Sequence, residues 1–295
     1  MPEHDRIGVV PRPIIVCADD FGLAPGVSDA ILTLIAAGRL SATSCMTPLA
    51  DWRRSASMLR EIVARFPADV GLHLTLTDHA PLTPAPRVAS NGRLPALGRM
   101  LARTLAHALP RDEIRDEVRA QLDAFEDHWG RAPDFIDGHQ HVHVLPIIRD
   151  AVVEEVLRRY PAGQPWIRDC VESPWRIVHR RSAMPKALLI SALAWRMRRL
   201  LRAHGIAAND GFSGVYDFSA RIPFANRMKT FLDATGPRPL VHVHPGRVDA
   251  ELLGSDPLTV QREIEFAYLM SEQFPAVLAA AALRPARYAD VARGW

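Results

Sequence analysis

The chain has 295 residues, of which 48% are hydrophobic and 23% charged, as is ordinary for a soluble globular protein with a sizeable core. Its net charge of +3 is spread along the sequence without a Lys/Arg tract, which excludes a typical nucleic-acid-binding protein. Cys17, Cys45 and Cys170 have neither metal-binding nor redox spacing, so they are expected to be reduced core residues.

Strand-like and helix-like segments alternate from one end of the sequence to the other. In chain order the pattern predicts a strand at 12–20, a helix at 24–38, a strand at 40–46, a helix at 51–66, a strand at 69–77, helices at 97–108 and 112–129, a strand at 134–139, a helix at 146–160, a strand at 165–170, a helix at 186–204, a strand at 240–244 and a helix at 257–272. This alternation is typical of a parallel sheet or barrel.

No stretch has the composition of an interdomain linker, and we find no internal repeat. We therefore interpret residues 1–295 as a single domain. The proline-rich residues 81–86 directly follow a predicted strand, and we expect them to form a loop that faces the substrate. Residues 205–217 contain three glycines and predict a second loop at the same rim.

Four of the predicted strands carry aspartate or histidine in their carboxyl-terminal halves or directly after them. The carboxyl ends of parallel strands meet at one rim, where barrels of this class carry their chemistry. Carboxylate and imidazole groups from separate strands form the usual ligand set of a catalytic divalent metal. The residues concerned are Asp19 and Asp20 at the end of the first strand, His73 in the third, Asp137, His139, His141 and His143 around the fourth, and His242 and His244 at the last.

The spacing of three of these histidines limits how they can be used. On a straight strand His139, His141 and His143 would span roughly 13 Å. Two ligand atoms on one zinc ion lie at most about 4 Å apart. We therefore predict that the strand ends near His139, with the next two histidines in the following loop. The other metal ligands must come from other strands, and His73 and one member of the Asp19-Asp20 pair are the best candidates.

Each residue also has an ordinary structural interpretation. A single histidine in an apolar strand, such as His73 or His242, is often a hydrogen-bonded core residue. The Asp19-Asp20 pair could form a turn and a helix N-cap, since a helix is predicted soon after it. Packing needs alone, however, do not readily produce four strand ends that all finish in aspartate or histidine.

These motifs together resemble the YdjC-like carbohydrate deacetylases, which include chitooligosaccharide deacetylases and hopanoid-biosynthesis-associated deacetylases. The matching segments are residues 18–22 (ADDFG), 71–74 (GLHL), 137–143 (DGHQHVH) and 244–246 (HPG), in the family's order. The similarity extends over roughly residues 14–285. The resemblance implies an α/β fold, a distorted TIM-like (β/α) barrel, and a hydrolase that removes acetyl groups from N-acetylated sugars.

The resemblance also implies roles for individual residues. Asp20, His73 and His139 would hold one divalent metal ion, Asp19 would be the catalytic base and His244 the acid. A nitrogen-rich ligand set favours zinc, with magnesium as the alternative. We also expect Asp137, His141, His143 and His242 to bind substrate or to support the ligands.

The substrate and the reaction class leave alternatives open. Gly138 and Gln140 stand where chitooligosaccharide members tend to have serine and a further histidine, so the sugar could be part of an oligosaccharide or of a glycolipid. A metal-dependent phosphoesterase would use the same residue types to hold two ions about 3.5–4 Å apart. A catalytically silent sugar-binding protein would retain the fold without the reaction.

The predicted helix at 186–204 joins an apolar front half to a half that contains Arg196, Arg198, Arg199 and Arg202. It could be a core helix with a solvated basic end, or a homodimer contact. It could also lie at the mouth of the site and touch a membrane surface or a lipid-linked substrate. The first six residues lack a signal-peptide layout, and the apolar run at 187–195 is too short to span a bilayer. We therefore expect a cytoplasmic protein, with peripheral contact to the inner membrane surface as one option.

Overall fold

A computed structural model describes residues 10–161, 163 and 165–293, so the first six residues, on which the signal-peptide prediction rests, lie outside the described part. The strands are β1 (Arg12–Phe21), β2 (Ala42–Cys45), β3 (Asp69–Leu74), β4 (Phe135–Gly138), β5 (Trp166–Ile167), β6 (Phe212–Ser213), β7 (Leu240–Val243) and β8 (Leu283–Pro285). The helices are α1 (Pro25–Ala36), α2 (Ala50–Arg65), α3 (Leu97–Leu105), α4 (Arg111–Trp129), α5 (Ile148–Arg159), α6 (Pro174–Arg180), α7 (Met184–Ala203), α8 (Phe224–Leu232), α9 (Ala250–Ser255), α10 (Val260–Met270), α11 (Gln273–Ala280) and α12 (Tyr288–Ala292), with a 3₁₀ turn at His139–Val144.

The strands form one parallel sheet that curls into a distorted barrel. Their order is β5-β4-β3-β2-β1-β7-β6, and β8 pairs with the first half of β1. The two ends of this path meet, because Ile167 of β5 forms a parallel bridge with Ala208, a few residues before β6. The predicted α/β barrel is therefore confirmed. Parallel strands end at a common rim, so the barrel gathers their carboxyl ends into one place.

The position of β1 in the core explains why its residues 14–18 are apolar. Residues 14–18 are fully buried, since one face of the strand points into the barrel and the other packs against helices. The polar residues Asp19 and Asp20 come at the end of this strand, where they are buried at the rim of the core. The apolar run thus fixes where the two carboxylates lie.

Two of the predicted loops differ from the structure. Residues 205–217 contain β6, so they are not simply a rim loop. Gly214 there has a φ of 109°, and a Cβ at this position would lie 2.3 Å from the carbonyl oxygen of His242. Its glycine therefore permits close packing against β7. The proline-rich residues 81–86 do form a loop, but they do not line the pocket at the rim. The loop is held against α4, because the amides of Leu82 and Thr83 donate to the Glu117 carboxylate.

The helix predicted at 186–204 is confirmed as α7, but it is not a core helix. Of its 20 residues, only Ala194, Met197 and Leu201 are buried. The helix before it, α6, was not predicted from the sequence. Among the described residues, no helix combines the length and the apolar character that crossing a membrane requires.

Candidate active site

A pocket of about 580 Å³ opens at the carboxyl rim of the barrel. Its two sides differ in chemistry, and we name them separately. The polar floor consists of residues from the strand ends, namely Asp19, Asp20, His73, His139, His242 and His244. The aliphatic wall consists of residues from α3, the 3₁₀ turn and its exit, and α7, namely Leu97, Leu101, Val144, Leu145, Leu189, Ile190 and Leu193.

Asp20 is the meeting point of the polar floor. Its Oδ1 lies 3.1 Å from His73 Nε2 and 3.0 Å from His139 Nδ1. One ligand atom from each of these three residues lies within 4.8 Å of the other two. The three residues that the family resemblance nominated as metal ligands therefore converge, although they come from β1, β3 and the turn after β4.

An irregularity in β1 lets both aspartates reach the pocket. On a regular strand, neighbouring side chains point to opposite faces. Between Ala18 and Phe21 the pairing with β2 shifts by one residue, and Asp20 has a φ of 71° in the left-handed region. Such a bulge re-aims side chains and is common beside functional sites. It brings the Asp19 and Asp20 carboxylates to the same floor.

His73 is oriented by two groups behind it. Its Nδ1 lies 2.7 Å from Asp137 Oδ1 and 2.9 Å from Ser44 Oγ, which leaves Nε2 facing Asp20. Burial opposes a charge on this ring, but Asp137, Asp20 and Asp19 outweigh it and raise the pKa of His73 to about 10. The surrounding carboxylates thus favour a positive charge at the position between His73 and Asp20.

The three histidines after β4 point to three different places. The strand ends at Gly138, as the spacing argument predicts, and Gln140 and His141 then adopt left-handed backbone angles. His139 faces Asp20, whereas the His141 ring lies 5.3 Å from that of His242. His143 is fully buried and its Nε2 donates to the carbonyl oxygen of Arg168 at 3.0 Å. Only His139 of the three joins the Asp20 cluster.

Asp19 is held by a buried arginine that the sequence analysis did not single out. Both terminal nitrogens of Arg168 donate to the two Asp19 oxygens, at 2.7 and 2.6 Å. The same guanidinium lies 2.5 Å from Asp137 Oδ2. Burial alone would raise the pKa of Asp19, but Arg168 outweighs it and holds that pKa well below its usual range. Asp19 is therefore ionised and fixed in position at neutral pH.

His242 and His244 lie beside Asp19 at the end of β7. The Nε2 of His244 is 4.0 Å from Asp19 Oδ2, and its Nδ1 is buried without a hydrogen-bond partner among the described residues. Burial holds the pKa of His244 well below its usual range. His242 donates from Nδ1 to the carbonyl oxygen of Ser213 at 2.8 Å, and burial lowers its pKa to about 4. Both rings are therefore neutral near pH 7.

Residues 13–280 match the model of the YdjC-like protein family. The chain belongs to this family. It is 37% identical over 152 residues to a carbohydrate deacetylase of Homo sapiens, which is 50% of this chain and 46% of the human protein. It is 39% identical over 138 residues to a chitooligosaccharide deacetylase of Yersinia pestis (strain Pestoides F), 46% of this chain and 52% of the relative. The matches thus span about half the length of these curated relatives.

A solved structure from Enterococcus faecalis V583, named provisionally for cellobiose-phosphate cleavage, has the same fold. It superposes with a TM-score of 0.73 at 20% identity and covers 97% of this chain and 100% of its own. At this identity the likeness establishes the fold of the YdjC-like protein alone.

Two further charged residues of the YdjC-like protein, Arg262 and Glu265, support the floor. Arg262 of α10 is buried and donates from Nη2 to Asp20 Oδ2 at 2.7 Å. Glu265, one turn later, accepts from the amide of His244 and from the Tyr216 hydroxyl. Burial raises the pKa of Glu265 to about 7.

The helix that carries Arg262 and Glu265 was predicted, but nothing in its sequence distinguishes an inward-facing arginine from a solvated one. Arg168 could have been singled out from the sequence, because it is a charged residue within a predicted apolar strand.

Proposed function

We propose that this YdjC-like protein is a hydrolase that removes the acetyl group from an N-acetylated amino sugar and depends on one divalent metal ion. The observation that carries the proposal is the convergence of Asp20, His73 and His139, with the ionised Asp19 carboxylate beside them. A cation-binding cluster next to a fixed carboxylate is the arrangement that metal-assisted hydrolysis requires. The deacetylases among its relatives support the same reaction class.

The residues of the floor fit a divalent cation. Asp20, His73 and His139 supply one oxygen and two nitrogen donors, and Asp137 orients His73 from behind, as carboxylates often do for ligating histidines. When bound, the ion would polarise the acetyl carbonyl and lower the pKa of a water molecule. The donor set favours zinc, and magnesium, which prefers oxygen, is the second candidate.

Asp19 would accept the proton of the attacking water. Its carboxylate is already ionised, because Arg168 outweighs the effect of burial on its pKa. The two bonds to Arg168 also prevent the carboxylate from rotating, which keeps one oxygen toward the pocket and His244. Holding the base in place lowers the entropic cost of the reaction.

His244 would deliver a proton to the departing amine. The ring is neutral at rest, so it must gain a proton before it can give one. Asp19 Oδ2 lies 4.0 Å from Nε2, outside hydrogen-bond range, so passing the proton taken from water from Asp19 to His244 and then to the sugar nitrogen requires the two groups to close to hydrogen-bond distance once substrate is bound. The C–N bond breaks as that nitrogen is protonated, and the products are acetate and a free amino sugar.

The aliphatic wall supports a particular form of the substrate. Sugars are bound mainly through hydroxyl groups and aromatic faces, whereas this wall offers leucine, isoleucine and valine side chains. We propose that the acetylated sugar carries an apolar aglycone, as in a glycolipid, and that the chain of the aglycone lies against the wall. A short oligosaccharide would use the polar floor only.

The phosphoesterase alternative rests on a second cluster. Asp19, His242 and His244 also lie within 4.8 Å of one another and could in principle hold a second ion. Both oxygens of Asp19, however, already accept hydrogen bonds from Arg168, whose charge repels a second cation at that position. This favours the single-ion proposal.

Acetate release from a panel of N-acetylated sugars, measured with metal content per chain, tests the proposal. We expect acetate release that a chelator abolishes and that one equivalent of zinc restores. Phosphate release from phosphate esters with two ions per chain would instead identify a phosphoesterase. Sugar binding without acetate release by the metal-loaded protein would identify a silent binding protein.

A further inference from the structure

The helical hairpin of α6 and α7 has an unusual charge composition. Residues 174–204 contain no aspartate or glutamate. Arg176, Arg180 and Arg198 are paired with acidic residues outside the hairpin, but Arg196, Arg199 and Arg202 are exposed and form no ion pair among the described residues. The outer surface of the hairpin therefore carries uncompensated positive charge.

The hairpin also exposes large apolar side chains. Trp175 of α6 and Trp195 of α7 have 63% and 54% of their surface exposed. We define the docking face as the exposed residues of the hairpin, apolar at one end and basic at the other, namely Trp175, Val178, Met184, Leu188, Leu189, Trp195, Arg196, Arg199 and Arg202. Exposed apolar residues grouped in this way usually mark a contact surface.

Charge decides which occupant fits the docking face. A second copy of the chain placed symmetrically on this face would bring arginine toward arginine, with no acidic residue of the hairpin to compensate. A nucleic acid would match the arginines but not the aliphatic and indole side chains. An anionic lipid surface matches both, since its head groups attract arginine while tryptophan and leucine enter the interface.

We propose that the docking face seats the protein on an anionic lipid surface. The position of α7 gives this contact a consequence for the site, because Leu189, Ile190 and Leu193 of the same helix also line the pocket. Docking through α7 therefore brings the mouth of the pocket to the lipid surface. Vesicle binding can be measured without any substrate, so this proposal can fail while the proposed deacetylation stands, and the reverse.

Co-sedimentation with vesicles tests the proposal. Wild-type protein is expected to bind vesicles of phosphatidylcholine and phosphatidylglycerol at low salt, to bind pure phosphatidylcholine weakly, and to dissociate partly at high salt. The double variant Leu188→Ser/Trp195→Ser should lose about tenfold or more in vesicle binding. The matched control Met58→Ser removes an exposed apolar side chain on α2 and should bind as the wild type does.

Charge reversal provides a second, independent comparison. Arg196→Glu/Arg199→Glu should weaken binding to anionic vesicles by about tenfold or more, while Arg115→Glu on α4 should leave it nearly unchanged. All of these positions are exposed and lie outside the polar floor, so acetate release from a short water-soluble substrate should not change. Circular dichroism confirms that each variant folds.

Three results would overturn the proposal. The first is an absence of binding to anionic vesicles at low salt. The second is equal binding by Leu188→Ser/Trp195→Ser and by the Met58→Ser control. The third is a concentration-dependent dimer that Trp195→Ser disrupts while vesicle binding persists, because the face would then be a contact between copies of the chain.

Discussion

The polar floor and the aliphatic wall of the pocket are built in different ways. In the floor, a buried arginine holds each of the Asp19 and Asp20 carboxylates, and Asp20 and His73 each have more than one partner. In the wall, single apolar side chains from surface helices each contribute a local contact. A change in the floor therefore disturbs several partners at once, whereas a change in the wall removes one contact. We infer that the floor determines the reaction and the wall determines the form of substrate.

The largest effect is expected from removing the His73 imidazole at the centre of the polar floor. His73→Ala removes a nitrogen donor that faces Asp20 and leaves Asp137 without its hydrogen-bond donor at Oδ1. We expect loss of most of the bound metal and of nearly all acetate release. His79→Ala, which removes another imidazole that lines the pocket, should keep the metal. Full metal occupancy and turnover in His73→Ala would show the ligand assignment to be wrong.

The next largest effect distinguishes Asp19, the proposed base, from the proposed metal ligands. Asp19→Asn cannot accept a proton, and we expect turnover to fall by roughly a hundredfold or more while the metal stays bound. The control Asp78→Asn changes a carboxylate that lines the pocket outside the Arg168 network. A wild-type rate in Asp19→Asn would remove Asp19 from the mechanism.

The pH dependence of stability tests the protonation state of the buried His143. Burial lowers the pKa of His143 to about 4, whereas an unfolded histidine titrates near 6.5. Between these values the unfolded state binds more protons, so the free energy of unfolding falls as pH falls, by roughly 3 kcal/mol for this residue.

Denaturant unfolding of wild type and His143→Gln across this pH window measures the contribution. The variant should lose less stability than the wild type on acidification, even if it is less stable at pH 7. Because His242 also has a pKa of about 4, some of the dependence should remain. Identical slopes for the two proteins would contradict a buried, neutral His143.

The smallest effect is expected in the wall. Leu101→Asn on α3 should raise KM about tenfold for an N-acetylated amino sugar with a long alkyl aglycone, since burial of a leucine side chain is worth about 1.5 kcal/mol. The kcat, and the KM for a short oligosaccharide, should stay unchanged. Leu105→Asn, one turn along the same helix but exposed, is the matched control. Equal effects on both substrates would mean that the wall does not bind the aglycone.

Much of the fold could be predicted because its signal is local. The periodic spacing of apolar residues indicates the strands and the amphipathic helices between them. The predicted barrel and family are confirmed. The short strands β6 and β8 were missed because their two or three residues carry no period. Their positions depend on pairing with neighbouring strands, which sequence periodicity does not report.

For the site, the sequence by itself determined which residue types stand at the strand ends, and the family resemblance nominated Asp20, His73 and His139 among them. Only the tertiary structure decided how they meet. The bulge in β1 turns Asp20 into the pocket, and Arg168 reaches Asp19 across 149 positions of chain. Such contacts are set by the curvature of the barrel and by burial, which leave an inward-facing arginine no solvent and require a carboxylate as its partner.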